Sequence, residues 1–186
     1  MSSYAVHTDD SARWYALLTE AKAETKSCVG QELEAYLVFM LLRYVGRPEL
    51  AHRCLANEYL ECLLRTGEMR HDNLRDVGDQ CLLFAGLFPE FAERQQVAVS
   101  NFVRLGASAY RRLAEDGDPL FLALSNEFVG VMDLLQTMRE IGDGYPCLDP
   151  ITAHQLWQDT GSMHAWRILT EALPAMQIGI SNCYIH

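Results

Sequence analysis

Apolar positions recur at helical spacing along almost the whole chain. From about Asp10 to Thr25 the pattern predicts a first helix, with Asp9, Asp10 or Ser11 available to cap it. A second helix is predicted from about Val29 to Val45. Its run Ala35–Leu42 is apolar on every face, which predicts a helix at the centre of the fold or in a subunit interface. Gly46-Arg47-Pro48 ends it, and Pro48 suits the first position of a third helix reaching about Arg65. Thr66-Gly67 closes that segment.

A fourth helix is predicted from about Glu68 to Leu87. In its stripe, the small residues Gly78, Cys81 and Ala85 allow another helix to come close. Pro89 opens a fifth, to about Ala114, with the stripe Val99, Phe102, Val103, Gly106, Tyr110 and Leu113. Asp116-Gly117-Asp118-Pro119 is a turn signal before a sixth helix, Pro119 to about Ile141. The loop Gly142–Pro146 precedes two shorter helices near 150–158 and 162–173, the last stopped by Pro174. Only the tail, Met176 to Ile180, alternates apolar and polar residues; Cys183, Tyr184 and Ile185 follow. The reading is an all-α chain in a single domain, an array or bundle of six to eight helices. An N-terminal arm (1–9) and an extended C-terminal tail (174–186) flank it.

Composition narrows the function classes. The chain has 186 residues, 49% of them apolar, which suits a packed domain and not a disordered segment. A net charge of −10, with basic clusters as short as Arg111-Arg112, argues against nucleic-acid binding. The longest apolar run is Ala35–Leu42, far short of the roughly 18 residues of a membrane span. Residues 1–10 carry no basic stretch followed by an apolar core, so a cytoplasmic protein is expected. The six cysteines are scattered without a Cys-x-x-Cys, which predicts reduced thiols and no zinc ribbon.

The stretch Asp76-Val-Gly-Asp-Gln-Cys-Leu-Leu-Phe-Ala-Gly-Leu-Phe-Pro89 resembles the signature of a group of bacterial all-helical proteins with no assigned activity. Val103–Tyr110 and the Phe128–Met138 helix fit the same pattern, so the resemblance covers residues 74 to 140. It implies a bacterial, helical, stand-alone domain and brings no chemistry with it.

Several constellations invite a chemical reading. Glu49/His52 and Glu68/His71 are Glu-x-x-His pairs, each placing two metal-ligating groups on one helix face. His52 and Glu68 lie at opposite ends of the third segment, roughly 24 Å apart along its axis, so only an antiparallel dimer would join the pairs. Carboxylates in a first helical turn also complement the macrodipole without any metal. Cys54, Glu58 and Cys62 share a face with Leu55, Tyr59 and Leu63. A half-buried Glu58 would suit acid–base work, or be satisfied by an arginine or by Tyr59. Asp76 and Asp79 flank Gly78 on one turn and suit a cation or a basic partner, or ion pairs with Arg104, Arg111 or Arg112. Asp159-Thr-Gly-Ser162 matches the aspartic-protease tetrapeptide, but its helical setting reads as a helix stop, a turn and a Ser162 cap. Phosphate-loop, dinucleotide, nucleophile-elbow and His-Glu-x-x-His motifs are absent.

The leading expectation is a protein that acts by binding another protein or a small ligand, with self-association as a homodimer. Glu58, Asp76, Asp79 and Tyr110 are its candidate binding residues, and no cofactor is expected. The alternative is a helical-bundle metal or cofactor enzyme, with Glu49, His52, Glu68 and His71 as metal ligands. A pocket of Tyr36, Met40, Tyr59 and Phe84, as in a small-molecule sensor, is a third reading.

Overall fold

The computed structural model describes residues 3–44, 55–64 and 67–182, with side chains from residue 10 onward except at 68 and 173–182. Every regular element among the described residues is helical: α1 (Ser3–Thr25), α2 (Gln31–Tyr44), α3 (Leu55–Leu64), α4 (Glu68–Gly86) and α5 (Glu90–Arg94). They continue as α6 (Val99–Ala114), α7 (Pro119–Asn126), α8 (Phe128–Asp143), α9 (Pro150–Thr160) and α10 (Met163–Asn182). The third segment's predicted start at Pro48, with Glu49, His52 and Cys54, lies outside the described residues.

The helix count exceeds the expected six to eight because two predicted segments divide. The fifth breaks after α5, where Gln96 takes a φ of 56° and Ala98 is extended. The Val97 N–H closes that turn on the Ala92 carbonyl. The sixth breaks at Glu127 (φ −101°, ψ 13°), and the Ser125 hydroxyl beside the break donates to the Ala107 carbonyl of α6 at 3.0 Å. Two other starts follow their local chemistry. Asp118 accepts from the Leu120 N–H with Pro119 in the first turn, and Asp149 accepts from the Ile151 and Thr152 N–H groups with Pro150 there.

The two ends of the chain depart from expectation. α1 begins at Ser3, inside the predicted arm, and α10 runs through Pro174 to Asn182, where a stop and an extended tail were predicted. Proline's fixed φ is itself helical, so it deletes one ladder bond without forbidding the turn.

The central helix is α4. Every residue from Val77 to Leu87 is buried, Asp79 and Gln80 included. α2 buries Leu37, Met40 and Leu41 but leaves Phe39 on the surface, so its apolar run faces outward on one side. α6 lies closest against α4, as the small residues predict. A Cβ on Gly106 of α6 would stand 2.6 Å from the Phe128 ring and 2.8 Å from Cys81 Cβ. α8 packs on α4 and α1, and α10 on α9 and α8. No helix among the described residues is long and apolar enough to cross a membrane.

Candidate functional site

Three of the four candidate binding residues meet in one polar cluster. Asp79 is fully buried, and its Oδ1 accepts from the Tyr36 hydroxyl of α2 at 2.5 Å and the Tyr110 hydroxyl of α6 at 2.8 Å. One turn earlier on α4, Asp76 accepts from the Tyr44 hydroxyl at 2.9 Å and from Arg43 at 2.8 Å. Arg75 lies over the Tyr36 ring, its Nε 3.9 Å from Asp79 Oδ2, and neither of those two atoms has a hydrogen-bond partner. The carboxylates thus draw on Arg43 and Arg75, while Arg112 pairs with Glu115 and Arg104 bonds to Asn101.

Burial pushes the Asp79 carboxyl up to about 6, against the pull of the two phenols, Arg75 and Arg43. Burial and the Asp79 charge push the Tyr36 and Tyr110 hydroxyls far up, which keeps them protonated as donors. The cluster ties α2, α4 and α6 together through one carboxyl. Asp79 is sealed from solvent, while Asp76, Arg43 and Arg75 are each partly exposed at the edge of the cluster.

The other candidates lie apart. Glu58 is half-buried on α3, and its charge adds to the burial that pushes the Cys81 thiol up. Glu68 opens α4, and the His71 ring stands edge-on to Phe121 at 5.7 Å. Of the residues of the proposed sensor pocket, Met40 and Phe84 are core, Tyr36 serves Asp79, and Tyr59 borders a cavity between α3 and α6. In the tetrapeptide, Asp159 accepts from the Ser100 hydroxyl at 2.6 Å and Gly161 is left-handed. Ser162 caps α10 by accepting from the Ala165 N–H at 3.0 Å.

A second cluster joins α8 to α10, and none of its residues was foreseen as a site. Asp133 accepts from the Ser162 hydroxyl at 2.6 Å and from the N–H groups of Met163 and His164, at 2.9 and 3.2 Å. Burial raises its carboxyl above the usual range in spite of these bonds. The His164 ring is buried. Its Nε2 is 3.1 Å from Glu140 Oε1 and 3.9 Å from Cys147 Sγ, and its Nδ1 is 3.1 Å from Thr137 Oγ1. Glu140 also accepts from the Cys147 N–H at 3.0 Å and from Arg167 at 2.8 Å. Burial alone would raise the Glu140 carboxyl, but these bonds hold it below the usual range. Burial and the Glu140 charge push the Cys147 thiol up.

This cluster borders a cleft of about 390 Å³, lined from α1 and its end by Glu24, Thr25 and Ser27, from α8 by Gly130 and Thr137, and from α10 by His164 and Arg167. Arg167, at its wall, pairs with both Glu24 and Glu140. A Cβ on Gly130 would meet nothing within 4 Å, so the cleft is open at that point. Asp133, Thr137 and Glu140 did carry a signal in the sequence, as polar residues at i, i+4 and i+7 on one face of a helix. Their partners on α10 lie too far along the chain to be inferred from spacing.

No family model, curated protein or solved structure matches the chain.

Proposed function

We propose that this protein acts by binding a compact polar ligand in the cleft between α1, α8 and α10. The observation that supports this most directly is the Glu24–Arg167 pair at the wall of an open cleft of metabolite size. A zwitterion would separate that pair, its carboxylate taking Arg167 and its ammonium taking Glu24. The hydroxyls of Thr25, Ser27 and Thr137 supply neutral contacts at the same wall. The free thiols of Cys28, Cys81 and Cys147 agree with a reducing, cytoplasmic setting, and kinship with bacterial helical proteins is part of the same proposal.

The test is a melting-temperature screen against the amino acids and simple dicarboxylates at millimolar concentration. At least one should stabilise the wild type. Gly130→Met, which fills the cleft from a position with free space, should abolish the shift. Equal shifts in both proteins, or none in the wild type, would refute the reading.

Self-association is a second reading, favoured by the three leucines that α3 turns to solvent: Leu60, Leu63 and Leu64, the last 88% exposed. Light scattering should give a dimer whose mass halves in Leu60→Glu/Leu64→Glu. A wild-type monomer across the accessible concentration range would remove it.

A further inference from the structure

The geometry points to a divalent-cation site of the zinc class formed by Glu140 Oε1, Cys147 Sγ and His164 Nε2. It does not require the cleft reading, although it shares Thr137, His164 and Arg167 with that cleft, and it uses neither of the Glu-x-x-His pairs. These three atoms come from α8, the loop after it and α10, and all lie within 4.8 Å of one another. Around a tetrahedral zinc, with bonds of about 2.0–2.3 Å, ligand atoms stand roughly 3.3–3.7 Å apart. The Nε2–Oε1 distance of 3.1 Å and the Sγ–Nε2 distance of 3.9 Å bracket that range, and the third pair lies within 4.8 Å, so side-chain adjustments of an ångström or less close the site. One thiolate, one imidazole and one carboxylate form a donor set that zinc accepts and that magnesium or calcium does not favour.

The surrounding bonds prepare each ligand. Two hydrogen-bond patterns are open to the His164 ring. In one, Nδ1 accepts from Arg167, 3.3 Å away, and Nε2–H donates to Glu140. In the other, the Thr137 hydroxyl spends its proton on the Asp133 carbonyl at 3.0 Å, and its oxygen accepts from Nδ1–H. Nε2 then presents a lone pair 3.1 Å from a carboxylate oxygen. That contact is repulsive alone and becomes attractive with a cation between the two atoms. The second pattern is the metal-binding tautomer, fixed by an outer hydrogen bond as histidine ligands commonly are. Glu140 is held just as firmly, by the Cys147 N–H on Oε1 and by Arg167 on Oε2, which leaves one Oε1 lone pair for the ion. Binding forms a metal–sulfur bond and releases the thiol proton to solvent. The ion's two charges then match one thiolate and one carboxylate. Three protein ligands leave a fourth position for water, and Glu140 borders an open cleft of about 310 Å³ beside Tyr145 and Pro146 through which an ion and water can enter. The metal would pin the 144–149 loop, and with it the Asp149 cap that starts α9.

The test uses untagged full-length protein, stripped with chelator and titrated with cobalt(II) and then zinc. One cobalt per chain should bind with the charge-transfer absorption of a cobalt–thiolate bond, and zinc should displace it. Cys147→Ser should lose that absorption, and Glu140→Gln and His164→Gln should each weaken binding about tenfold or more. A readout on the unaltered protein covers any variant that fails to fold. Zinc should slow alkylation of Cys147 about tenfold while the exposed Cys28 reacts at an unchanged rate. Loss of stoichiometric cobalt binding, a thiolate band that persists in Cys147→Ser, or equal alkylation of Cys147 with and without zinc would overturn the assignment.

Discussion

Gly78 on α4 and Tyr110 on α6 touch with no room for a methyl group: a Cβ at Gly78 would stand 2.6 Å from Tyr110 Cε1 and 2.8 Å from Cδ1. The ring cannot retreat freely, because its hydroxyl is bonded to Asp79 and its other neighbours are Phe121 and Phe128. Gly78→Ala should therefore destabilise by about 1–3 kcal/mol through overpacking, despite alanine's better helix propensity. Gly142→Ala, with nothing within 4 Å of the new Cβ, should be neutral or stabilise by up to about 1 kcal/mol. Urea denaturation midpoints of the two variants check this, and equal midpoints would sink it.

Asp79 makes stability depend on pH in a direction opposite to most paired carboxylates. Its native carboxyl titrates near 6 and its unfolded one near 3.8, so between those values the native state binds more protons. The contribution of this group is fully present only below the unfolded value of 3.8. It is lost as pH rises through about 6, a change of roughly 3 kcal/mol. Asp79→Asn cannot titrate. Its stability relative to the wild type should rise by about that amount between pH 4 and pH 7. Paired denaturation curves across that range measure it, and a flat difference would show that Asp79 does not titrate there.

Most of the helices were legible in the sequence because their signals are local: Asp118-Pro119 and Asp149-Pro150 fix two starts within four residues. The breaks at Gln96 and Glu127 were not, since neither residue is a turn former. The first closes on the Ala92 carbonyl, and Ser125 beside the second bonds to the Ala107 carbonyl of α6, contacts that no local motif announces. Pro174 misled in the other direction, as its helical φ outlasts its missing N–H. At the site, the Asp76–Gly78–Asp79 turn was visible, but its true partners Tyr36, Tyr44, Arg43 and Arg75 were not all inferable from distant helices. The cluster around His164 was missed because its members are ordinary residues that become a constellation only when α8 and α10 cross.

The start of α10 is capped twice, locally by the Ser162 hydroxyl and from α8 by Asp133. Ser162→Ala deletes one hydroxyl that both accepts from Ala165 N–H and donates to Asp133. It should cost about 1–2 kcal/mol. Asp133→Ala removes the acceptor for three donors and should cost more, because the buried His164 N–H and the part-buried Met163 N–H are left without partners. Amide hydrogen exchange at Met163 and His164 should accelerate in Asp133→Ala and stay near wild type in Ser162→Ala. Equal protection in all three proteins would mean that Asp133 does not serve as the cap.

Tyr36 and Tyr110 donate to the same oxygen, Asp79 Oδ1, so their contributions should be coupled. Removing either hydroxyl leaves the carboxyl with one donor in a buried site, and each Tyr→Phe change should cost about 1–3 kcal/mol near neutral pH, where Asp79 is charged. Each change should also push the Asp79 carboxyl further up, because both phenols currently hold it down. With both donors gone, the carboxyl avoids the charged form by taking a proton, which caps the penalty of the second deletion. The double variant Tyr36→Phe/Tyr110→Phe should therefore be less destabilised than the sum of the singles, by about 0.5–3 kcal/mol. That coupling should shrink as pH falls below about 4 and all four proteins carry a neutral Asp79. Strict additivity at every pH would separate the two hydroxyls energetically and break the account of a single carboxyl holding three helices.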